Sequence, residues 1–205
     1  CFEKDILFKS GFDLDLQNEF TPTIEFSPKQ ISSKTYFWLK CTWKYDGDYA
    51  DLKGKIFTTI INGKGGFYAW KGSKAYLNGE VISVSSAKRM EDSLLATGFP
   101  YWDFNRMDAY LRILKDFTAR TRGIRRIGSA AVDLAYVACG RFEAFYEYSL
   151  KPWDIAAGAF IIEQAGGVVT DFQGNRDLVS GKEILAANPH IHPELQQKIE
   201  SEFYK

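Results

Sequence analysis

The sequence predicts an α/β fold, because apolar strand-like segments alternate with helix-like segments through most of the chain. "SLLATGF" (93–99) is typical of a buried strand, and "FNRMDAYLRILKDFTART" (104–121) repeats apolar residues at helical spacing. "SAAVDLAYVACG" (129–140) is a capped helix that leads into the strand-like "FEAFYEY" (142–148). Strands alternating with helices favour a layered α/β sandwich with a parallel component.

The elements before residue 100 are predicted to be mostly strands. Strands are expected around Tyr36–Trp43 and Ile56–Ile61, with Asp46-Gly47-Asp48 as a turn. The segment "FYAWKGSKAYLNGEVISVSS" (67–86) predicts a β-hairpin with glycine-containing turns and alternation over Val81–Val84.

The helix over 104–121 is expected to place its core residues on one face, and these are Met107, Tyr110, Leu111, Leu114 and Phe117. "RRIG" (125–128) predicts a short strand entering a turn, followed by a helix with Ser129 as N-cap and Gly140 just past its end. A further helix is predicted from Asp154 to Ala165, closed by two glycines. "VVTDF" and "EILAANP" are predicted strands, and "HPELQQKIESEFY" a closing surface helix.

Composition excludes several classes of protein. The 205 residues are 45% hydrophobic and carry no formal net charge, whereas a nucleic-acid binder would show an excess of Lys and Arg. No apolar run approaches the roughly 20 residues of a membrane span, and no basic-plus-apolar leader is present. The three cysteines are widely spaced, which suggests neither a disulfide scaffold nor a zinc site. We therefore expect a cytoplasmic protein without nucleic-acid or membrane partners, whose natural N-terminus lies upstream of Cys1.

Composition also changes abruptly near residue 66. Residues 1–66 contain no arginine and one alanine, Ala50, whereas all nine arginines lie further along the chain. The ordered pattern of strands, turns and capped helices begins at Phe67. The sequence therefore predicts a boundary at this point, between a 1–66 segment and a 67–205 segment.

Few residues stand out as carriers of chemistry. Asp154 at a helix start is either a cap or a carboxylate that holds a cation near a phosphate. Glu147 at a strand end is either solvated or a ligand-binding group. The Gly128-Ser129-Ala130 turn is either an ordinary helix start or an anion- or hydroxyl-binding turn. His190 and His192 are expected in a surface loop without a third metal ligand.

Taken together, "RRIGSAAVDLAYVACGRFEAFYE" (125–147) and "PWDIAAGAFIIEQAGGVVTDFQG" (152–174) resemble the inositol monophosphatase family of magnesium-dependent phosphomonoesterases. "FYAWKGSKAYLNGEVISVS" (67–85) and "EILAANP" (183–189) add to the resemblance, which extends from Phe67 to Lys205. It implies a layered α-β-α-β-α sandwich, with the carboxyl-terminal half visible here, and a homodimer.

The resemblance implies a role for each candidate residue. Asp154 would bind an active-site Mg²⁺, and Glu147 would bind a substrate hydroxyl. Gly128, Ser129 and Ala130 would line the substrate site with backbone groups, and Arg125 would support it. The implied reaction is hydrolysis of inositol monophosphate, or of a similar polyol phosphate, by a metal-activated water. A bisphosphate nucleotide or sugar phosphatase of the same superfamily, and a non-catalytic relative, are the alternatives.

The amino-terminal segment departs from the family. Its members carry a Gly-Glu-Glu element and an Asp-Pro-x-Asp-Gly-Thr-x-Asn element upstream, which supply most of the metal ligands, and residues 1–66 contain neither. "KYDGDYADL" (44–52) has acidic residues in a different order. No catalytic residue is therefore assigned in this chain. The hypothesis is that residues 1–66 are not the family's native sequence, with a divergent, non-catalytic relative as the rival explanation.

Overall fold

The computed structural model describes residues 20–31, 34–45, 56–62, 65–101, 103–176 and 182–204. The chain divides into two compact units, Cys1–Ile82 and Ser83–Lys205.

The first unit is an antiparallel sheet in which neighbours in sequence are neighbours in space. Its order is β1-β2-β3-β4-β5-β6. The β5–β6 turn is made by Asn78 and Gly79, whose φ angles of 53° and 90° fit a tight Asn-Gly hairpin turn. The strands are β1 (Phe20–Ile31), β2 (Lys34–Tyr45), β3 (Ile56–Asn62), β4 (Gly65–Trp70), β5 (Ala75–Leu77) and β6 (Glu80–Ile82).

These strands confirm the two predicted near Tyr36–Trp43 and Ile56–Ile61. The predicted hairpin after residue 66 is a three-stranded meander, and its last strand ends at Ile82 rather than Val84. The predicted turn at Asp46-Gly47-Asp48 lies outside the described residues.

The second unit contains a mixed five-stranded sheet of order β10-β11-β9-β7-β8. Strand β7 runs parallel to both β8 and β9, while β11 runs antiparallel to β9 and β10. The parallel component predicted from the sequence is therefore confirmed. The strands are β7 (Leu94–Thr97), β8 (Gly123–Arg125), β9 (Ala144–Tyr148), β10 (Val168–Thr170) and β11 (Glu183–Ala187).

Four helices accompany this sheet: α1 (Met107–Arg120), α2 (Ala130–Ala138), α3 (Pro152–Gln164) and α4 (His192–Phe203). Helices α1 and α4 share one apolar core with residues of β7, β9 and β11. Residues that alternate with these along the strands face the other side of the sheet. Helices α2 and α3 pack against each other; α2 contacts β7, β9 and β11, and α3 contacts β10 and β11. The mixed α/β architecture predicted from the sequence is confirmed.

Two predicted helix faces need correction. In α1 the buried residues are Ala109, Tyr110, Ile113 and Phe117, and Leu111 is 49% exposed. The buried face is rotated toward Ala109 and Ile113, so Met107 and Leu114 pack only partly against the core and Leu111 falls outside it. Helix α4 is not a surface helix only, because Leu195, Ile199 and Phe203 are buried.

The prediction that His192 lies in a surface loop is wrong. It is the first residue of α4, is buried, and its Nε2 lies 3.1 Å from Thr170 Oγ1. Burial lowers the pKa of His192 to about 4, so the imidazole is neutral at pH 7. This histidine ties α4 to β10 and is no metal-ligand candidate.

Among the described residues, no helix has both the length and the apolar character needed to cross a membrane.

Candidate functional site

Asp154 lies in the first turn of α3, two residues inside the helix rather than at its start. The helix begins at Pro152, which suits the first helical position because its missing N–H has no partner there anyway. The Asp154 carboxylate accepts a hydrogen bond from the backbone N–H of Lys151 at 3.0 Å. Asp154 therefore caps α3, as the first alternative predicted, but from the third helical position. Its side chain is half-buried at the mouth of the helix.

The Gly128-Ser129-Ala130 turn leads from β8 into α2. Gly128 has a φ of 88°, a left-handed conformation that glycine adopts without strain. Ser129 is the N-cap, as predicted, and its carbonyl accepts from the N–H groups of Val132 and Asp133 at 3.0 Å each. The Ser129 side chain makes no capping bond. The first N–H groups of α2 come just after the end of β8, and the amino terminus of a helix attracts anions.

Strand β8 ends at Arg125, so the predicted strand over 125–128 starts and ends earlier than expected. Arg125 is exposed, and its Nη1 donates to the carbonyl of Ile124 at 3.3 Å. Arg126 instead lies with its guanidinium carbon 5.1 Å from the ring centre of Phe99, and it donates to the Tyr101 hydroxyl at 3.4 Å. The supporting role of Arg125 stays a prediction, and the structure adds Arg126 to the same loop.

Glu147 is the fourth residue of β9 and is only 5% exposed. Its carboxylate lies directly over Gly98, where an added Cβ would overlap all three carboxyl atoms. Gly98 follows β7, which is parallel to β9, so both residues lie at the carboxyl end of the parallel strands. This edge is where open α/β sheets bind ligands. The alternative of a solvated Glu147 is wrong.

A network of hydrogen bonds fixes the backbone beneath Glu147. The Thr97 hydroxyl donates to the Tyr146 carbonyl at 2.7 Å, which joins β7 to β9. The Tyr110 hydroxyl donates to the Gly98 carbonyl at 2.8 Å. Burial raises the pKa of Tyr110, so its hydroxyl stays protonated and remains a donor. Helix α1 thus holds in place the glycine against which Glu147 packs.

Asp133 is an acidic residue of this region that the sequence interpretation did not single out. It lies in the first turn of α2, is 1% exposed, and its Oδ1 has no hydrogen-bond partner. Burial, and then the charge of Glu147, raise the pKa of Asp133 to about 8, while Ser129 and Arg126 act in the opposite direction. Its signal in the sequence is one acid within the apolar run "AAVDLAYVA".

The metal site implied by the resemblance is only partly represented. Among the residues that the structure describes, no three His, Cys, Asp or Glu side chains are grouped so that they could hold a metal ion. Mg²⁺ requires near-octahedral oxygen coordination, which the Asp154 carboxylate alone does not provide. The described donor set therefore does not fit a complete magnesium centre. The acidic segment 46–52 lies outside the described residues.

Comparison with known proteins decides the family. The model of the inositol monophosphatase family matches residues 63–204 of the chain. The chain belongs to the inositol monophosphatase family. Metal dependence is general in this family.

Several relatives of this inositol monophosphatase family chain are closely similar in sequence. A protein named putative Nus factor SuhB, from Neisseria meningitidis serogroup B, is 50% identical over 125 residues, which are 61% of this chain and 48% of that protein. Inositol-1-monophosphatase of Caulobacter vibrioides is 36% identical over 150 residues, covering 72% of this chain and 58% of that enzyme. The chain spans about half the length of the curated relatives it matches first.

Solved structures agree with this family assignment. The extragenic suppressor protein suhB from Bartonella henselae superposes with a TM-score of 0.70 at 38% identity, over 80% of this chain and 61% of that one. Inositol monophosphatase from Anabaena gives a TM-score of 0.68 at 32% identity, over 80% of this chain and 64% of that one. The fold is therefore that of the inositol monophosphatases.

The structure brings some of the predicted site residues together. Glu147 near the end of β9 and the Gly128-Ser129-Ala130 turn after β8 both lie at the carboxyl edge of the parallel strands β7, β8 and β9. Asp154 lies at the start of α3, which packs against the α2 helix that carries Asp133. Gly98, Asp133 and Arg126 are the site neighbours that sequence reasoning missed. Gly98 follows Thr97 in "ATGF". Its importance could not be predicted from the sequence, because Gly98 meets Glu147 only through the pairing of β7 with β9.

Proposed function

We propose that this chain carries the substrate-recognition half of a phosphomonoesterase that acts on inositol monophosphate or a similar polyol phosphate, with Mg²⁺ as cofactor. The observation that carries the proposal is the buried Glu147 carboxylate at the carboxyl edge of the parallel strands, the edge at which β8 leads into α2. The family match and the name of the Caulobacter relative support it.

Each group has a chemical task in this proposal. A carboxylate such as Glu147 accepts hydrogen bonds from substrate hydroxyls, and its packing on Gly98 limits where it can lie. The N–H groups at the start of α2 favour negatively charged or hydroxyl oxygens. Asp154 is the described residue that would bind Mg²⁺. No hydrolytic step through the ion follows from the described residues, because they do not complete its coordination.

A second candidate function is that of a non-catalytic relative that binds a sugar phosphate or a partner subunit. The absence of a three-residue metal-binding group among the described residues favours it. Relatives that are 50% and 41% identical to this chain are also named as Nus factor SuhB and not as phosphatases. Under this alternative, the same carboxylates and turn bind a ligand without turnover.

Release of phosphate from inositol 1-phosphate by the 205-residue chain, measured over a series of Mg²⁺ concentrations, separates the two functions. The phosphatase proposal expects Mg²⁺-dependent release that Asp154→Asn abolishes. Unfolding stability should fall by less than about 1 kcal/mol, because Asn keeps an oxygen that can accept from Lys151.

Asp108→Asn is the matched control, since Asp108 is an exposed acid in the first turn of α1. It removes the same charge from a helix start, and we expect turnover to be unchanged. A chain that unfolds cooperatively but releases no phosphate at any Mg²⁺ concentration contradicts the phosphatase proposal and supports the second candidate.

A further inference from the structure

Ser149, the residue that follows β9, has two unfavourable features. Its φ is 69°, in the left-handed region that residues other than glycine rarely adopt. It is also 2% exposed, and its buried Oγ has no hydrogen-bond partner within the described part of the chain. A strained backbone and an unpaired buried hydroxyl each destabilise a protein. A glycine at this position would remove both features, so local geometry and packing do not explain a serine.

Asn78 shows what a tolerated left-handed residue looks like in this protein. Apart from Ser149, it is the non-glycine residue with a positive φ among those that the structure describes, and it lies in the β5–β6 turn. Asparagine adopts this conformation more readily than serine does, because its side chain can hydrogen-bond nearby backbone. Asn78 is exposed, and its Oδ1 accepts from the Gly66 N–H at 2.9 Å. Ser149 lacks such a bond, so its surroundings must impose its conformation.

The start of β11 holds the residues on both sides of Ser149. Tyr148, the last residue of β9, pairs with Glu183 of β11. The Leu150 N–H donates to the Lys182 carbonyl at 3.0 Å. Because Lys182 and Glu183 are consecutive, both neighbours of Ser149 are anchored to one short stretch of backbone. Ser149 therefore takes the φ that these two anchors leave to it.

The strained residue connects two acids of the proposed site. Glu147 precedes Ser149 on β9, and Asp154 follows it in the first turn of α3. The Lys151 N–H donates to Asp154 Oδ2 at 3.0 Å, and the Asp154 N–H donates to the Lys151 carbonyl at 2.9 Å. The anchored segment thus leads directly into the pair of bonds that fixes Asp154. A change of backbone direction at Ser149 would move the start of α3 relative to Glu147.

We propose that Ser149 is a positioning residue, whose left-handed backbone fixes the start of α3, and with it Asp154, relative to the Glu147 carboxylate. Serine is confined to a narrow left-handed region, whereas glycine at the same position would have a wide range of conformations. Strained backbone of this kind is found where function requires a fixed geometry. The consequence for ligand binding rests on the function proposed above, whereas the fixed connection between the two acids does not.

Amide hydrogen exchange in the full 205-residue chain tests the connection without reference to activity. Ser149→Gly removes the strain and the unpaired hydroxyl, so its urea midpoint of unfolding should rise. Its Lys151 amide should nevertheless exchange at least about fivefold faster than in the parent, because glycine lets the segment leave its fixed conformation. Ser149→Ala keeps the left-handed strain, so its Lys151 amide should exchange as in the parent. A lower urea midpoint for Ser149→Gly, or unchanged exchange, would overturn the proposal.

Calorimetric titration with inositol 1-phosphate tests the consequence for binding. We expect Ser149→Gly to bind at least about fivefold more weakly than the parent, although it is the more stable protein. Ser149→Ala should bind like the parent, because its backbone is equally confined. Asn78→Gly is the matched control, since it places a glycine at a left-handed position outside the proposed site, and its affinity should equal that of the parent. A purely structural role of Ser149 would not combine higher stability with weaker binding.

Equal affinities of Ser149→Gly and the parent would show that Ser149 has only a structural role, and the proposal would fail. An equal loss of affinity in Ser149→Ala and Ser149→Gly would also contradict it, since the hydroxyl rather than the backbone would then be responsible. If the parent binds no inositol 1-phosphate while Ser149→Gly alone speeds exchange of the Lys151 amide, the proposed function fails and the fixed connection between Glu147 and Asp154 stands.

Discussion

At the scale of single residues, Gly98 sets the position of Glu147. A methyl group at Gly98 would overlap the Glu147 carboxyl atoms, so the Glu147 side chain would have to turn away from its buried position. We expect Gly98→Ala to lower the free energy of unfolding by about 1–3 kcal/mol, the usual cost of overpacking. Urea unfolding measures the effect.

Gly66→Ala is the control for this prediction, because an added Cβ at Gly66 meets nothing within 4 Å. It should leave stability nearly unchanged. The double variant Gly98→Ala/Glu147→Ala should be less destabilised than the sum of its single changes, since the overlap is removed. Additive effects would mean that the cost at Gly98 does not come from Glu147.

The residues found from the sequence and those missed differ in what determines them. Ser129 and Gly140 were correctly predicted as the ends of α2, because capping depends on residues only a few positions apart. Asp133 is buried by the packing of α2 on the sheet and on α3, which a single sequence does not place. Glu147 was identified through its family motif, whereas its packing on Gly98 follows from the pairing of β7 and β9.

At the scale of elements, the existence and type of the helices and strands were predictable from the sequence, whereas their first and last residues were less so. Helix α3 begins two residues before the predicted Asp154, because proline is favoured at the first helical position. Strand β8 runs from Gly123 to Arg125, so it begins two residues before the predicted start at Arg125 and ends three residues before Gly128, where the chain turns with a φ of 88°. Such shifts matter here, since they change Asp154 from an N-cap to a residue of the first helical turn.

The contact between α2 and α3 gives a prediction at this scale. At Gly158 of α3, an added Cβ would lie 2.5 Å from Leu134 Cβ and 2.6 Å from Leu134 Cδ1 on α2. Alanine is the better helix former by about 1 kcal/mol, so propensity alone predicts that Gly158→Ala stabilises the protein. We expect the opposite, a net loss of about 1–3 kcal/mol, because the two helices are forced apart.

Thermal or urea unfolding of Gly158→Ala decides between propensity and packing. The double variant with Leu134→Ala should recover part of the loss caused by Gly158→Ala, since the smaller side chain removes the overlap. Because the start of α2 and Asp154 of α3 belong to the proposed site, Gly158→Ala should also weaken binding of inositol 1-phosphate. A stabilised Gly158→Ala variant would contradict this account of the helix pair.

At the scale of the whole molecule, the family match and the proposed metal chemistry do not extend over the same residues. The match covers residues 63–204, and the upstream acidic elements that the family resemblance requires are absent from residues 1–66. Asp154, the proposed Mg²⁺ ligand, would thus be one carboxylate in a centre that needs several oxygen donors. The hypothesis that residues 1–66 are not the family's native sequence stays a prediction, and it leads to an experiment on the chain as a whole.

A chimera tests whether residues 63–205 retain a competent site, independently of what residues 1–62 contribute. Replacing residues 1–62 with the amino-terminal half of the Caulobacter inositol-1-monophosphatase should give Mg²⁺-dependent release of phosphate from inositol 1-phosphate, because it restores the missing carboxylates around the ion. The same chimera with Asp154→Asn is the control and should be inactive. A chimera that unfolds cooperatively but has no activity would show that residues 63–205 do not retain a competent substrate site. Equal activity in the unaltered chain would show instead that residues 1–62 already provide the other ligands.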